Sequence, residues 1–301
     1  MRWMRLSYQQ DQKATAILYL ALPFVLFAAF FLYPIGHTVY LSFFDWNGLT
    51  ATMKPMGFGN YRSVLGSQEF LLAGLNNAKW LAYFIVVPPA LGLGLAILVD
   101  RLRRGQGFFQ TLFFMPYVIT PIAVGAIWKW IYNPGSGLLN SILRAIGLGA
   151  AAQNWLGEPR IAVYSMMLSA SWVMTGLPFV LYLAGLKTVP AYLLEAAAID
   201  GAGAARRFLN VQLPMLAPTT IIVEAFSILG AIRLFDLVFA LTNGQPNIYI
   251  NVLAPLMTKT SFQIFKMGEG AAIAVLLLLV TASLLCPYLI IASRRAERVK
   301  L

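Results

Sequence analysis

Long apolar runs dominate the hydrophobic pattern, and neither soluble periodicity nor short alternation accounts for them. Six stretches reach the roughly 20 residues that a helix needs to cross the hydrocarbon of a bilayer. They run from about Ala16–Ile35, Trp80–Val99, Phe108–Ile131, Ile161–Leu186 and Leu216–Leu241 to Ala271–Ala292. None alternates with the period of two that marks an outer-membrane barrel. The pattern predicts an all-α polytopic membrane protein with six spans. The first run follows Arg2, Arg5 and Lys13, like the basic start of a signal peptide, but it is too long and lacks a small-residue cleavage site, so it reads as a retained span.

Composition agrees. Apolar residues make up 59% of the 301 positions and charged residues 11%, and the mean hydropathy is +0.73. A soluble domain carries roughly 25% charged residues. The net charge of +11 is then better read as cytoplasmic loop charge than as a nucleic-acid surface. An even number of spans puts both termini on one side. That side would hold Arg2, Arg5, Lys13, Arg101, Arg103, Arg104, Lys187, Arg206, Arg207, Arg294, Arg295, Arg298 and Lys300. The other side would hold only Lys54, Arg62, Arg144, Arg160, Lys259 and Lys266. The imbalance predicts cytoplasmic termini. Trp46, Trp80, Trp128, Trp130, Tyr132 and Trp155 fall near span ends, the pattern of an interfacial aromatic belt.

Several chemistries are excluded or disfavoured. One cysteine, Cys286, and one histidine, His37, leave no internal disulfide and no Cys- or His-rich metal cage. No lysine follows a glycine, so there is no G-x-x-x-x-G-K-[ST] phosphate loop. Neither H-E-x-x-H nor G-x-S-x-G occurs. An intramembrane enzyme therefore lacks a catalytic constellation. An ion-driven secondary carrier would rest on the two intramembrane acids, Glu224 and Asp236, which share one span.

The loop between the fourth and fifth spans carries the information. Pro190 suits a helix start, Ala and Leu sustain two turns, and Gly201 and Gly203 permit a bend before a second short helix ending at Pro214. Within it, Glu195-Ala196-Ala197 is followed three residues on by Gly201, and nine residues later by Val211-x-Leu213-Pro214. This closely resembles the EAA loop of permease subunits in binding-protein-dependent ABC importers, with Val211 where the pattern has Ile. Gly57-Phe58-Gly59-Asn60-Tyr61, Leu75-Asn76-Asn77, Phe113-Phe114-Met115-Pro116-Tyr117, Gly137-Leu138-Leu139-Asn140, Phe235-Asp236-Leu237 and Leu241-Thr242-Asn243-Gly244 resemble the carbohydrate branch of that family, and in particular the first of its two unlike permeases.

The resemblance implies one transmembrane permease domain over residues 1–301 with the EAA loop at 190–214, in a bacterial inner membrane. It implies a second, related permease, two ATPase subunits that hold ATP and magnesium, an extracytoplasmic solute-binding protein and a sugar-like solute. No cofactor belongs to the chain itself, and no nucleic acid is involved. It assigns ATPase coupling to Glu195, Ala196, Ala197, Asp200, Gly201, Ala202 and Gly203. It assigns the solute pathway to Ala170, Val173, Met174 and Leu177 on the fourth span and to Ser227, Gly230, Ala231 and Leu234 on the fifth. Each set recurs at three- and four-residue steps, so each is expected on one helical face. Arg233 and Asp236, three residues apart, can meet on a helix, either as a structural pair or at the pathway's edge; a continuous helix puts Arg233 about 110° from the centre of the fifth-span face.

Overall fold

The computed structural model describes residues 15, 19–102, 104–232 and 234–298, with side chains to Ile290. The chain is mostly helical and divides into two compact units.

The first unit holds the chain up to Leu65 together with Met257–Leu276. Its helix α1, Tyr19–Leu41, is apolar enough to cross a membrane and is not buried by its own chain along its most apolar window. A π-helical turn at Ala28–Leu32 interrupts it. Two short strands, β1 (Phe44–Asp45) and β2 (Lys54–Pro55), pair antiparallel around a turn. In that turn the Asn47 Oδ1 accepts from the amides of Leu49 and Thr50, each at 3.0 Å. Helix α2, Gly59–Gly66, is fastened by Asn60, whose Nδ2 donates to the carbonyls of Ser42 (2.8 Å) and Phe44 (2.9 Å).

The second unit spans Gly66–Leu256 and Leu277–Leu301. Its long helix α3, Gln68–Asp100, starts where the Ser67 hydroxyl accepts the amide of Phe70 at 3.1 Å. It then runs unbroken through Pro88 and Pro89. Next come α4 (Gln106–Val118), α5 (Pro121–Ile131), α6 (Leu138–Ala145), α7 (Ala162–Met174) and α8 (Gly176–Lys187). After them come α9 (Ala191–Ile199), α10 (Ala204–Met215), α11 (Ala217–Ile232) and α12 (Phe235–Leu241). Two further helices, α13 (Leu253–Thr258) and α14 (Met267–Arg298), complete the chain.

Helix α3 packs against α8 and α11. The approach to α8 is close enough that a Cβ on Gly92 would sit 2.6 Å from the Pro178 Cβ, so only glycine fits. One apolar cluster gathers Trp80, Phe84, Val124, Met166, Met167 and Val238; a second gathers Ala96, Val99, Phe179, Leu183, Leu216 and Val223.

The expected spans are only partly single helices. Tyr19–Leu41, Gln68–Asp100 and Met267–Ile290 are long and apolar enough alone. Three further pairs pass only together, and each is bent: α4 with α5 by 97°, α7 with α8 by 41°, and α10 with α11 by 70°. The stretch Phe108–Ile131 is thus not one straight helix. Thr120 is extended (φ −61°, ψ 140°) because the residue before Pro121 is pushed out of the helical region. The stretch Leu216–Leu241 ends its helix at Ile232 and resumes at Phe235 through Leu234 (φ −75°, ψ 41°). Trp80 and Tyr132 also depart from expectation. They are fully buried in the protein, not at an aromatic belt: Trp80 packs edge-on to Phe84, and the Tyr132 hydroxyl donates to the Ser165 carbonyl at 2.7 Å.

Candidate solute pathway and coupling loop

The three helix breaks within the second unit that carry pathway residues border one cavity of about 380 Å³. Tyr117 and Pro121 line it on either side of the α4–α5 bend. Met174 and Leu177 flank the α7–α8 bend, and Leu234 and Asp236 flank the gap between α11 and α12. Interrupted backbone at membrane depth is tolerated where it is buried in protein or lines a cavity.

The structure places Ala170, Val173, Met174 and Leu177 on the cavity wall, with Ser227, Gly230 and Leu234 on another part of it. Neither set is one helical face, because Leu177 belongs to α8 and Leu234 lies beyond the end of α11. Ala231 is not in the cavity: it is fully buried against the Trp80 cluster. Arg233 lies outside the described residues. The continuous helix on which its 110° offset was reckoned is broken at Leu234. Asp236 sits in the first turn of α12 and faces the cavity, and it has no ion-pair partner among the described residues.

Most of the lining is apolar. Ser227 and Asp236 supply its side-chain carboxylate and hydroxyl oxygens on the α11–α12 side, and the Ser227 hydroxyl donates back to the Val223 carbonyl at 3.0 Å. That leaves Ser227 able to accept from a solute but spends its proton. Reading spacing alone missed the aromatics Phe84, Tyr117 and Phe226, which also line the cavity. A signal stood near two of them: Pro88 lies one turn from Phe84 on α3, and Pro121 stands at the break that follows Tyr117.

The second site is the loop at 190–214. Pro190 (φ −63°, ψ 130°) is the extended cap residue just before α9, one position ahead of the first helical place that the sequence predicts for it. The helix closes through Gly201, whose φ of +77° is the left-handed conformation that glycine adopts without strain. The Ala202 amide reaches back to the Ala197 carbonyl at 2.9 Å, and the Gly201 amide to Ala198 at 3.1 Å. Glu195, Ala196, Asp200, Gly201 and Gly203 are exposed, while Ala197 and Ala202 are half-buried. No residue of α9 is buried. Ile199 is 87% and Tyr192 67% exposed, so a short helix with apolar side chains stands clear of its own chain. A Cβ on Gly201 or Gly203 would meet nothing within 4 Å.

The sequence pattern of the binding-protein-dependent transport system inner membrane component family matches residues 89–297. The chain belongs to that family. It is a membrane permease of a binding-protein-dependent importer, and the EAA loop falls within the matched region. The permease is 32% identical over 273 residues to the xylose/arabinose import permease protein XacH of Haloferax volcanii, covering 90% of this chain and 86% of the relative. It is 31% identical over 267 residues to the sn-glycerol-3-phosphate transport system permease protein UgpA of Agrobacterium fabrum, covering 86% and 88%. The fold matches a chain of a bacterial ABC transporter involved in the import of the acidic polysaccharide alginate, with a TM-score of 0.80 at 20% identity over 95% of this chain and 98% of that one.

Proposed function

We propose that this permease carries a sugar or sugar-like solute, delivered by an extracytoplasmic binding protein, through the cavity bordered by the helix breaks. Transport is driven by ATP hydrolysed, with magnesium, on two partner ATPase subunits that grip the loop at 190–214. A second, related but different permease completes the pathway. Counting each bent pair as one span gives six, with both termini in the cytoplasm of a bacterial inner membrane, in line with the charge imbalance between loops.

The observation that carries this reading is the pairing of two features in one unit: a cavity at the helix breaks and an apolar, unburied α9. A secondary carrier would use the cavity but has no role for α9. The relatives that import pentoses and glycerol phosphate support a small polyhydroxylated solute. The scarcity of polar groups on this wall assigns much of the solute's hydrogen bonding to the partner permease.

The test is uptake in proteoliposomes holding the purified complex and its binding protein. Uptake that requires ATP and the ATPase is expected; uptake by this chain alone on an ion gradient overturns the proposal. In the same assay Gly230→Trp is expected to abolish uptake while the complex stays assembled. A Cβ on Gly230 would lie 3.6–3.7 Å from Phe84 and the Met174 sulfur, which line the cavity with it, so an indole there projects into the cavity. Unchanged uptake removes this wall from the pathway.

A further inference from the structure

Helix α6, Leu138–Ala145, is amphipathic, and its own chain leaves much of its apolar arc uncovered. At 100° per residue, Leu138, Leu139, Ile142, Leu143 and Ile146 fall within an arc of about 140°, and Asn140, Ser141 and Arg144 occupy the opposite side. In a water-soluble fold the apolar arc would turn inward. Here the one residue that turns inward is the polar Asn140, while Ser141 and Arg144 stay exposed beside the apolar arc. Asn140 is 1% exposed and bonded on all sides. Its Nδ2 donates to the carbonyls of Pro134 (3.1 Å) and Gln153 (3.0 Å). Its Oδ1 accepts from the Gln153 amide (3.3 Å) and the Trp155 Nε1 (2.8 Å). The Arg144 guanidinium donates to the carbonyls of Gly135 (3.0 Å) and Pro134 (3.1 Å). Asn140 and Arg144 thereby spend their polar groups on the turn, Ser141 stays open to water, and Leu138, Ile142 and Ile146 stand 43%, 47% and 63% exposed.

The place of this arc in the chain says what covers it. Helix α6 starts seven residues after Ile131, the last residue of the membrane-crossing α4–α5 pair. The connection cannot carry it far into water, because it is a closed turn. The Gly137 amide donates to the Asn133 carbonyl at 3.0 Å, and the Asn133 Oδ1 accepts from the amides of Gly135 and Ser136, each at 3.0 Å. At the same level α5 ends in the exposed Trp130, at 59%, and in Lys129, which donates to the Asn243 Oδ1 at 2.6 Å. A tryptophan and a lysine closing a span mark the headgroup level of a bilayer. A helix tied there, with only Leu and Ile on its outer arc, meets lipid.

We propose that α6 lies in the membrane–water interface, its Leu138, Ile142 and Ile146 side chains reaching the acyl boundary, as a lipid anchor for the end of α5. Short amphipathic helices bind bilayers in this plane through buried apolar area. Because α5 carries Pro121 and Val124 on the cavity wall, the anchor fixes the depth of that wall in the bilayer. The inference needs the chain to be a membrane permease and does not depend on the solute.

The test is spin-label accessibility in the assembled importer in nanodiscs, in a Cys286→Ala background that removes the exposed native thiol. Nitroxides are placed at Ile142→Cys and, in a second variant, at Ile146→Cys, with Ser141→Cys on the opposite face as reference. Labelled complexes that keep uptake are compared by power saturation with oxygen, which partitions into lipid, and with a nickel chelate, which stays in water. Oxygen above nickel at 142 and 146, inverted at 141, is expected. Nickel accessibility at both apolar positions overturns the proposal by placing the helix in water. Labels shielded from both relaxants also overturn it, by placing the arc under the second permease or the binding protein. If Ile142→Cys fails to assemble, Ile146→Cys, past the last helical residue, decides.

Discussion

Asn76 and Glu195 both belong to short motifs of the permease sequence, yet the chain treats them in opposite ways. Asn76 on α3 is 3% exposed, and its Nδ2 donates to the carbonyls of Tyr249 (2.8 Å) and Asn251 (3.0 Å), about 175 positions away. Its neighbour Asn77 accepts the Leu253 amide at 2.8 Å. Together they fasten the irregular segment after α12. Glu195, on α9, is exposed, and the hydrogen bonds that shape its loop are local. Asn60 and Asn140, from two more of the motifs, behave like Asn76: each donates to two backbone carbonyls of other segments. A motif residue whose partners lie in its own chain is explained by the fold. One with none is shaped for another chain. The expected cost to the permease's own stability therefore falls from the first kind to the second, while the cost to coupling rises.

The largest effect on the fold is expected for Asn76→Ala. It leaves two carbonyls without donors, and each such loss costs about 1–3 kcal/mol, for about 2–6 kcal/mol together. Thermal unfolding of the detergent-solubilised complex should move clearly downward, and the Lys79 ammonium, which donates to the Asn76 Oδ1 at 3.3 Å, loses that acceptor too. A melting curve matching the wild type means that the segment after α12 is held by other contacts, and the contrast with the coupling loop fails.

What the sequence made legible follows the same division. Local signals located α9 and its glycine stop correctly, because Pro190 and Gly201 act on their own backbone. The apolar runs fall on the long or paired apolar helices but do not show the breaks at Thr120 and Leu234, since hydropathy does not record where a helix turns around a cavity. Pro121 was a sufficient signal for the first break. Leu234 carries none: it adopts its conformation in the tertiary setting between Ala231 in the core and Asp236 at the cavity. Ala231 was misplaced for the same reason, because spacing finds a face and only packing decides how wide the part in contact with the cavity is. Trp80 and Tyr132 sit at span ends in sequence but inside the protein in space, and nothing in the one-dimensional pattern separates those two fates.

A smaller effect on the fold is expected for Gly201→Asp. The left-handed φ of +77° costs a side chain about 1 kcal/mol, and there is open space for the new atoms. The variant should reach the membrane at near wild-type levels and melt close to the wild type. Uptake should nevertheless fall at least about tenfold, which requires only about 1.4 kcal/mol lost from ATPase docking. Normal uptake with the ATPase retained on purification removes the coupling role from this turn.

The smallest effect on the fold, and the sharpest separation of the two kinds of residue, is expected for Ile199→Ser. At 87% exposure the side chain gives the isolated permease almost nothing, and surface substitutions of this kind usually change stability by less than about 0.5 kcal/mol. With Tyr192 on the same nine-residue helix also 67% exposed, Ile199 is expected to be covered by the partner that docks there. Burying such a side chain contributes about 1.5–3 kcal/mol, so its loss should weaken ATPase binding on the order of tenfold or more. Titrating the purified ATPase subunit onto nanodiscs containing wild-type and Ile199→Ser permeases, alongside their melting curves, measures both quantities. Equal affinities put Ile199 outside the docking surface and leave the polar residues Glu195 and Asp200 to carry the contact. A lowered melting temperature without a change in affinity reverses the comparison, making α9 a structural element of this chain.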